Sequence, residues 1–314
     1  MSEYIGIQGQ AVINTGSDPS PGVGAQVWYN NATYVFKIQN YSTNGAWATG
    51  GNLGTGRAAL GGAGTQTAGL GFGGSVPPVS AATEEYDGST WTAGGSMGTA
   101  RTELGGTGTQ TAGLAFGGNT PALSVLTEEY NGSTWTAGGN LGTTTDQLGS
   151  AGTQTAGLGF GGTTPSFTTA TEEYDGSAWT AGGNLATARY GLAGCGIQTA
   201  GLAFGGNPSP GAAEEYNGST WTAGGNLNTG NYALGAAGTQ TAGLAFGGIL
   251  NSTATEKYDG TSWTTAGNLN TGRYQIAGAG TQTAGLAFGG QNGPSLTEEF
   301  SPSGLTTIGT LTTT

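Results

Sequence analysis

Apolar residues in this chain fall in short alternating runs and nowhere at helical spacing. In residues 112–116, AGLAF, an extended chain points Ala112, Leu114 and Phe116 to one side and Gly113, Ala115 and the following Gly117 to the other. That alternation predicts a strand with one bulky face and one nearly flat face. Four such strands fit in the stretch 101–141: residues 103–108, 112–116, 127–130 and 135–138. Gly117-Gly118 stops the second. Asn131-Gly132 signals a hairpin between the last two, and Asp87-Gly88, Asp175-Gly176, Asn217-Gly218 and Asp259-Gly260 stand at the same place elsewhere. A helix across this much glycine would be costly.

The pattern comes back. TQTAGLAFGG at 109–118 has near copies starting at Thr65, Thr153, Ile197, Thr239 and Thr281, and Trp47, Trp91, Trp135, Trp179, Trp221 and Trp263 are spaced by 44, 44, 44, 42 and 42 residues. A period of this size marks a repeat architecture. One four-stranded sheet cannot hide both of its faces, but a ring of them can, with each bulky face set into the flat back of its neighbour and only short edges left over. The expected fold is therefore all-β, one β-propeller of four-stranded antiparallel blades over residues 1–314. The Trp residues above and Tyr86, Tyr130, Tyr174, Tyr216 and Tyr258 are its structural repeat positions. Six units begin near residues 57, 101, 145, 189, 231 and 273 and run to 311. Before them, Trp47 with ATGGNL reads as a fourth strand, 34–38 as its third, 26–29 as its second and 4–13 as its first, with 14–24 a loop. Residues 1–53 then form a divergent first blade, and the count is seven. The alternative is six blades with 1–53 as an attachment arm.

Composition narrows the chemistry. Glycine is 67 of 314 residues, a level that in an aperiodic chain would suggest disorder, but aromatic residues at fixed spacing have a place to go. The net charge of −12 repels phosphate backbones and anionic lipid, so neither nucleic acid nor a membrane surface is an expected partner. MSEYIGIQGQAVINTG has neither a basic start nor a long apolar core, so neither a signal peptide nor membrane insertion is expected, and the chain reads as made soluble in a cytoplasm. There is no histidine. Zinc sites of the Cys/His type are thereby excluded, and no cofactor is expected. Cys195, whose counterparts are Ala63, Thr107, Ala151, Ala237 and Ala279, reads as a small buried filler with no base to activate it.

A Gly-Gly pair after an apolar strand, then Glu-x-Tyr, then Trp, resembles the kelch repeat: Gly73-Gly74 with Glu84, Tyr86 and Trp91, or Gly117-Gly118 with Glu128, Tyr130 and Trp135. The resemblance covers about residues 57–311. It departs in a Tyr-to-Trp spacing of five and in the last unit, where Phe300 and Leu305 stand for Tyr and Trp. Kelch propellers that are copper-radical oxidases need histidine ligands, which this chain lacks. The glycine- and threonine-rich wording, TEEYDGSTW with AGLAFGG, is also similar to kelch-like virion proteins of marine tailed phages. That likeness implies a virion component (a fibre, tail or capsid-surface protein) whose partners are other virion proteins or itself, and host-surface glycan or protein. The alternatives are a cytoplasmic kelch-type interaction module and, further off, a polysaccharide-active enzyme.

Of the 18 acidic residues, 11 lie in the repeated Glu-Glu-Tyr motif. A pair copied into every blade serves the blade, with a bound divalent cation as the alternative. Gln66, Gln110, Gln154, Gln198, Gln240 and Gln282 are expected to tie down the turn after the first strand, or else to ring a channel mouth. Arg57, Arg101, Arg189 and Arg273 are expected to pair with Glu84-type carboxylates or to meet an acidic partner near the axis. Copies differ most after the Gly-Gly pair, at Pro77, Pro121, Pro165, Phe167, Pro208, Leu250 and Pro294. In antiparallel blades these loops share one face with the connections between blades. Variable loops on a fixed scaffold make that face the expected binding surface. The expected function is non-enzymatic binding or structure.

Overall fold

The computed structural model describes residues 44–75 and 77–302, and as backbone the strands Ile13–Thr15, Gln26–Asn30, Val35–Tyr41 and Leu305–Leu311. Two compact units result, 1–46 with 302–314, and 47–301.

The larger unit is a six-bladed propeller. Blade I holds Gly61–Thr65, Ala68–Phe72, Thr83–Tyr86 and Trp91–Ala93, paired in that order and antiparallel. Blades II to V repeat it, starting at Gly105–Thr109, Gly149–Thr153, Ala193–Ile197 and Gly235–Thr239. The first strands of successive blades touch one another around a closed circuit, so they line the axis. Each step of the chain logic is visible locally. Gly73-Gly74 ends the second strand because both residues take positive φ, 65° and 92°, which a side chain resists. Between the third and fourth strands Asn131 caps a four-residue turn, its Oδ1 accepting from the N–H of Ser133 and Thr134, and only Gly132 goes to positive φ.

The blades stack bulk into hollow. A Cβ on Gly113 of blade II would lie 2.7 Å from Cδ2 of Leu70 in blade I, so the glycine is the socket for its neighbour's leucine. Each apolar cluster accordingly joins two blades: Leu70 and Phe72 pack with Leu104, Ala115 and Tyr130, and five further clusters repeat the theme. The core is six seams around a narrow axis.

Polar staples cross the same seams. In five of the six blades the Trp indole N–H donates to a third-strand threonine of the preceding blade, as Trp135 does to Thr83 at 2.9 Å. The Tyr hydroxyl donates to the second Glu of the preceding blade, as Tyr130 does to Glu85 at 2.5 Å, and Tyr86 of blade I reaches Glu299 of blade VI. Each turn glutamine also reaches back. Gln110 Nε2 donates to the carbonyls of Gly69 and Tyr86 at 3.0 and 2.7 Å, and the other five do the same. The glutamines are staples between blades, with no place at a channel mouth.

The expectation of seven blades is overturned. Ala46–Thr49, which carries Trp47, pairs with Thr297–Ser301 and completes the sheet of Ala277–Thr281 and Ala284–Phe288. Trp47 Nε1 donates to Thr255 of blade V at 3.0 Å, the bond that the blade VI tryptophan should make. The physical reason lies in the last repeat. Leu305 stands where Trp belongs, so that repeat leaves its fourth-strand slot to the N-terminal strand. Gln26–Asn30 and Val35–Tyr41 do pair as expected, but in the smaller unit's separate sheet, with Leu305–Leu311 beyond and Ile13–Thr15 added in parallel. Residues 4–12, expected as a first strand, and most of the loop 14–24 lie outside the described residues.

Candidate functional site

The two ends of the blades differ. In five blades a backbone bridge joins the inter-blade connection to the residue after Gly-Gly: Ala58 to Ser75, Thr102 to Asn119, Asp146 to Thr163, Tyr190 to Asn207 and Tyr274 to Gln291. Connections and variable loops thus share one face, and the constant turns share the other. Pro77, Pro121, Pro165, Pro208 and Pro294 are exposed on the loop face, with Phe167 at 48% and Leu250 at 92% exposure.

The arginines on this side point inward. All four are fully buried, with Nη2 bonded to Glu84, Glu128, Glu214 or Glu298 at 2.7–3.0 Å. Nη1 of Arg57 spans the carbonyls of Gly73 and Ala82. Glu84 also accepts from the N–H groups of Gly54 and Thr55. The first Glu of each motif therefore anchors the incoming connection, and the second holds a tyrosine of the next blade. Among the described residues no three Asp, Glu or Cys gather as a metal site. Cys195 is buried, and desolvation pushes its thiol up to about 12, so the thiolate is scarce at neutral pH.

At the loop-face mouth of the axis the chain makes a belt that its sequence hides. Ala59, Glu103, Gln147, Gly191, Ala233 and Gln275 take one position each in the six blades, all with φ of 51–62°. Each N–H donates to the carbonyl of its counterpart in the preceding blade, 2.7–2.9 Å, and Ala59 closes the circle on Gln275. Leu60, Leu104, Leu148, Leu192, Leu234 and Ile276 fill the axis beneath, and a cavity of about 100 Å³ opens among them. Residues 103–108 were expected as one strand, but Glu103 belongs to this belt and the strand begins at Gly105.

Three belt side chains are polar and converge. Glu103 accepts from Nε2 of Gln275 at 3.0 Å and of Gln147 at 3.4 Å. Burial, and then the charge of Asp146, pushes the Glu103 carboxyl above its ordinary value, against the two amides. Asp146 is 5% exposed and also raised by burial, with Oδ2 facing Asn119 Nδ2 at 3.5 Å and Oδ1 unpartnered. At the position of Asp146, blades IV to VI carry Tyr190, Tyr232 and Tyr274, half-buried, whose hydroxyls bond no described residue. Phe167 stacks on Tyr190 at 4.6 Å, and Tyr190 lies 6.0 Å from Tyr232. The mouth itself offers amides and one carboxylate, and the tyrosines at the neighbouring position of blades IV to VI add ring faces and hydroxyls on the same loop face. Sequence reasoning missed these residues. Their signal is two columns that vary among repeats, set between an Arg57-type column that is arginine in four copies of six and a Leu60-type column that hardly varies. No family model matches the chain, and no curated protein matches it.

Proposed function

We propose that the protein is a non-enzymatic binding propeller that meets its partner, a protein or glycan, through the loop face and axial mouth. One contrast carries the reading. Within the blades nearly every repeated polar side chain is spent on a neighbour, whereas the three tyrosine hydroxyls and the exposed Phe167 and Leu250 gather on the face where copies differ. Glu103 supports recognition over hydrolysis, because its nearest coupled carboxylate, Asp146, is buried and lies outside the residues that line the mouth. The repeat wording similar to phage kelch-like proteins supports placing the propeller on a virion. Finding the chain at stoichiometric copy number in purified particles checks that placement.

The test compares faces. The full chain is screened on protein and glycan arrays beside a Tyr190→Ala, Tyr232→Ala, Tyr274→Ala variant and, as a control on the constant-turn face, Ile197→Thr. The reading requires a partner lost by the triple variant and kept by the control. A partner kept by both removes the loop face, and turnover of an arrayed glycan removes the non-enzymatic assignment.

A further inference from the structure

Four blades seat an arginine in one socket, and two do not. Each filled socket offers three groups: a carbonyl of the Gly-Gly pair, the carbonyl at the Ala82 position, and Oε1 of the first Glu. Blade III carries Thr145 and blade V Asn231 at the arginine position. A cavity lies at each.

The two vacancies differ. In blade V, Asn231 Nδ2 reaches the carbonyl of Gly247 at 3.3 Å, and buried Glu256 gains a side-chain amide from Asn228 at 2.9 Å. That socket is plugged. In blade III, Thr145 Oγ1 only reaches toward the carbonyl of Gly161 at 3.5 Å. The Ala170 carbonyl accepts one N–H, that of Gly161, where its counterparts in the four arginine blades accept an arginine as well. Glu172 accepts the N–H groups of Gly142 and Thr143, and no cation pairs with it among the described residues. It is also half-buried, where Glu84, Glu128, Glu214 and Glu298 are buried. The blade III cavity is walled by Leu141, Leu148 and Phe160 and is also lined by Thr164 and Thr168 of the variable loop. Threonine ends at the γ position and lacks arginine's Cδ and guanidinium group, and the acceptors for that group are still in place.

We infer that the blade III socket, between Thr145 and Glu172, receives a guanidinium group from outside the chain, an arginine side chain of a partner or free arginine. A planar donor fork matches a carboxylate and two carbonyls set for one, whereas a lysine ammonium does not. The net charge of −12 favours the approach of such a cation. The inference rests on the loop face being the contact face.

Calorimetric titration of the full chain at low salt tests it, with Nα-acetyl-arginine methylamide, free arginine, and the lysine counterparts of both. Saturable one-site binding of an arginine probe is expected, weakened about tenfold or more by Glu172→Gln and in the lysine counterpart. Preference for the capped probe identifies a peptide source, and preference for free arginine a metabolite. Thr145→Arg fills the socket from within, as in four sister blades, and should fold with an unchanged or raised melting temperature and abolish binding. Absence of saturable binding, or binding untouched by Thr145→Arg, overturns the inference. Partner capture that still depends on Tyr190, Tyr232 and Tyr274 would then leave the loop-face reading standing.

Discussion

The seam between blades I and II and the seam between blades V and VI are built on one plan but differ at the Tyr–Glu contact. In the first, Trp135 reaches Thr83, Tyr130 reaches Glu85, and Gln110 reaches two backbone carbonyls. In the second, Trp47 reaches Thr255 and Gln282 reaches its two carbonyls. The Tyr–Glu pair, however, is gone from both sides at once: Phe300 replaces the tyrosine and Lys257 the glutamate. A hydroxyl facing an ammonium stem would be left unsatisfied at a buried edge, which costs about 1–3 kcal/mol. Removing both partners avoids that cost. The staple behaves as a unit, and the shape of the seam is held by its apolar filling.

The largest effect should come from that filling. Trp47 is buried with its ring 5.0 Å from Phe246 and 5.2 Å from Phe300, and Trp135 sits 4.9 Å from Phe72. Truncating either to alanine should cost about 3–5 kcal/mol in urea unfolding. Trp47→Ala should cost the more, because Trp47 also secures the one blade whose strands come from distant parts of the chain. Equal losses would mean that closure adds nothing to the seam.

Next comes the staple itself. Glu85→Lys copies the V–VI substitution into the I–II seam and strands the Tyr130 hydroxyl, for an expected loss of about 1–3 kcal/mol. Adding Tyr130→Phe should recover most of it, a coupling that a double-mutant cycle reads directly. Two independent losses would break the idea that the pair acts as one. Alkaline titration sharpens the same point. Burial, and then the bond to the glutamate, pushes the phenols of Tyr86, Tyr130, Tyr174, Tyr216 and Tyr258 from 10.0 up to about 12. The folded state holds these protons more tightly than the unfolded chain. Their stabilisation is therefore whole below pH 10 and drains away between pH 10 and about 12. The decline in melting temperature across that window should be shallower in the Glu85→Lys, Tyr130→Phe double variant than in the parent.

Much of this was legible in the chain. Bulk alternating with glycine predicts the stack, and the spacing of tryptophans predicts the ring. The blade count turned on two residues: Leu305 leaves a repeat short of its tryptophan, and Trp47 is a tryptophan short of a repeat. Seven blades follow only if both are treated as drift. Lys257 and Phe300 likewise look unrelated until the ring brings them to one seam. The belt could not be read. Left-handed backbone is signalled by glycine, and only Gly191 among the six supplies one. Ala59, Glu103, Gln147, Ala233 and Gln275 are held there by hydrogen bonds to residues in other repeats, so Glu103 passed for the start of a strand.

The smallest effect tests the opposite outcome, a staple that lost one partner only. Five blades carry a threonine at the start of the third strand, and blade IV carries Ala213. The tryptophan that should bond there, Trp263, keeps its ring in the seam, 4.9 Å from Phe204, while its buried Nε1 has no partner. Here the arithmetic differs from that of the Tyr–Glu pair. An indole cannot shed its N–H without losing the ring, and the ring contributes more to the seam than the orphan donor costs. Ala213→Thr should restore the bond and raise stability by about 0.5–1.5 kcal/mol, with an unchanged denaturant slope. Ala213→Val supplies the same bulk without the hydroxyl, so the difference between the two variants isolates the hydrogen bond from the packing. A valine variant as stable as the threonine one would show that the five intact Trp–Thr contacts orient the ring without stabilising the seam.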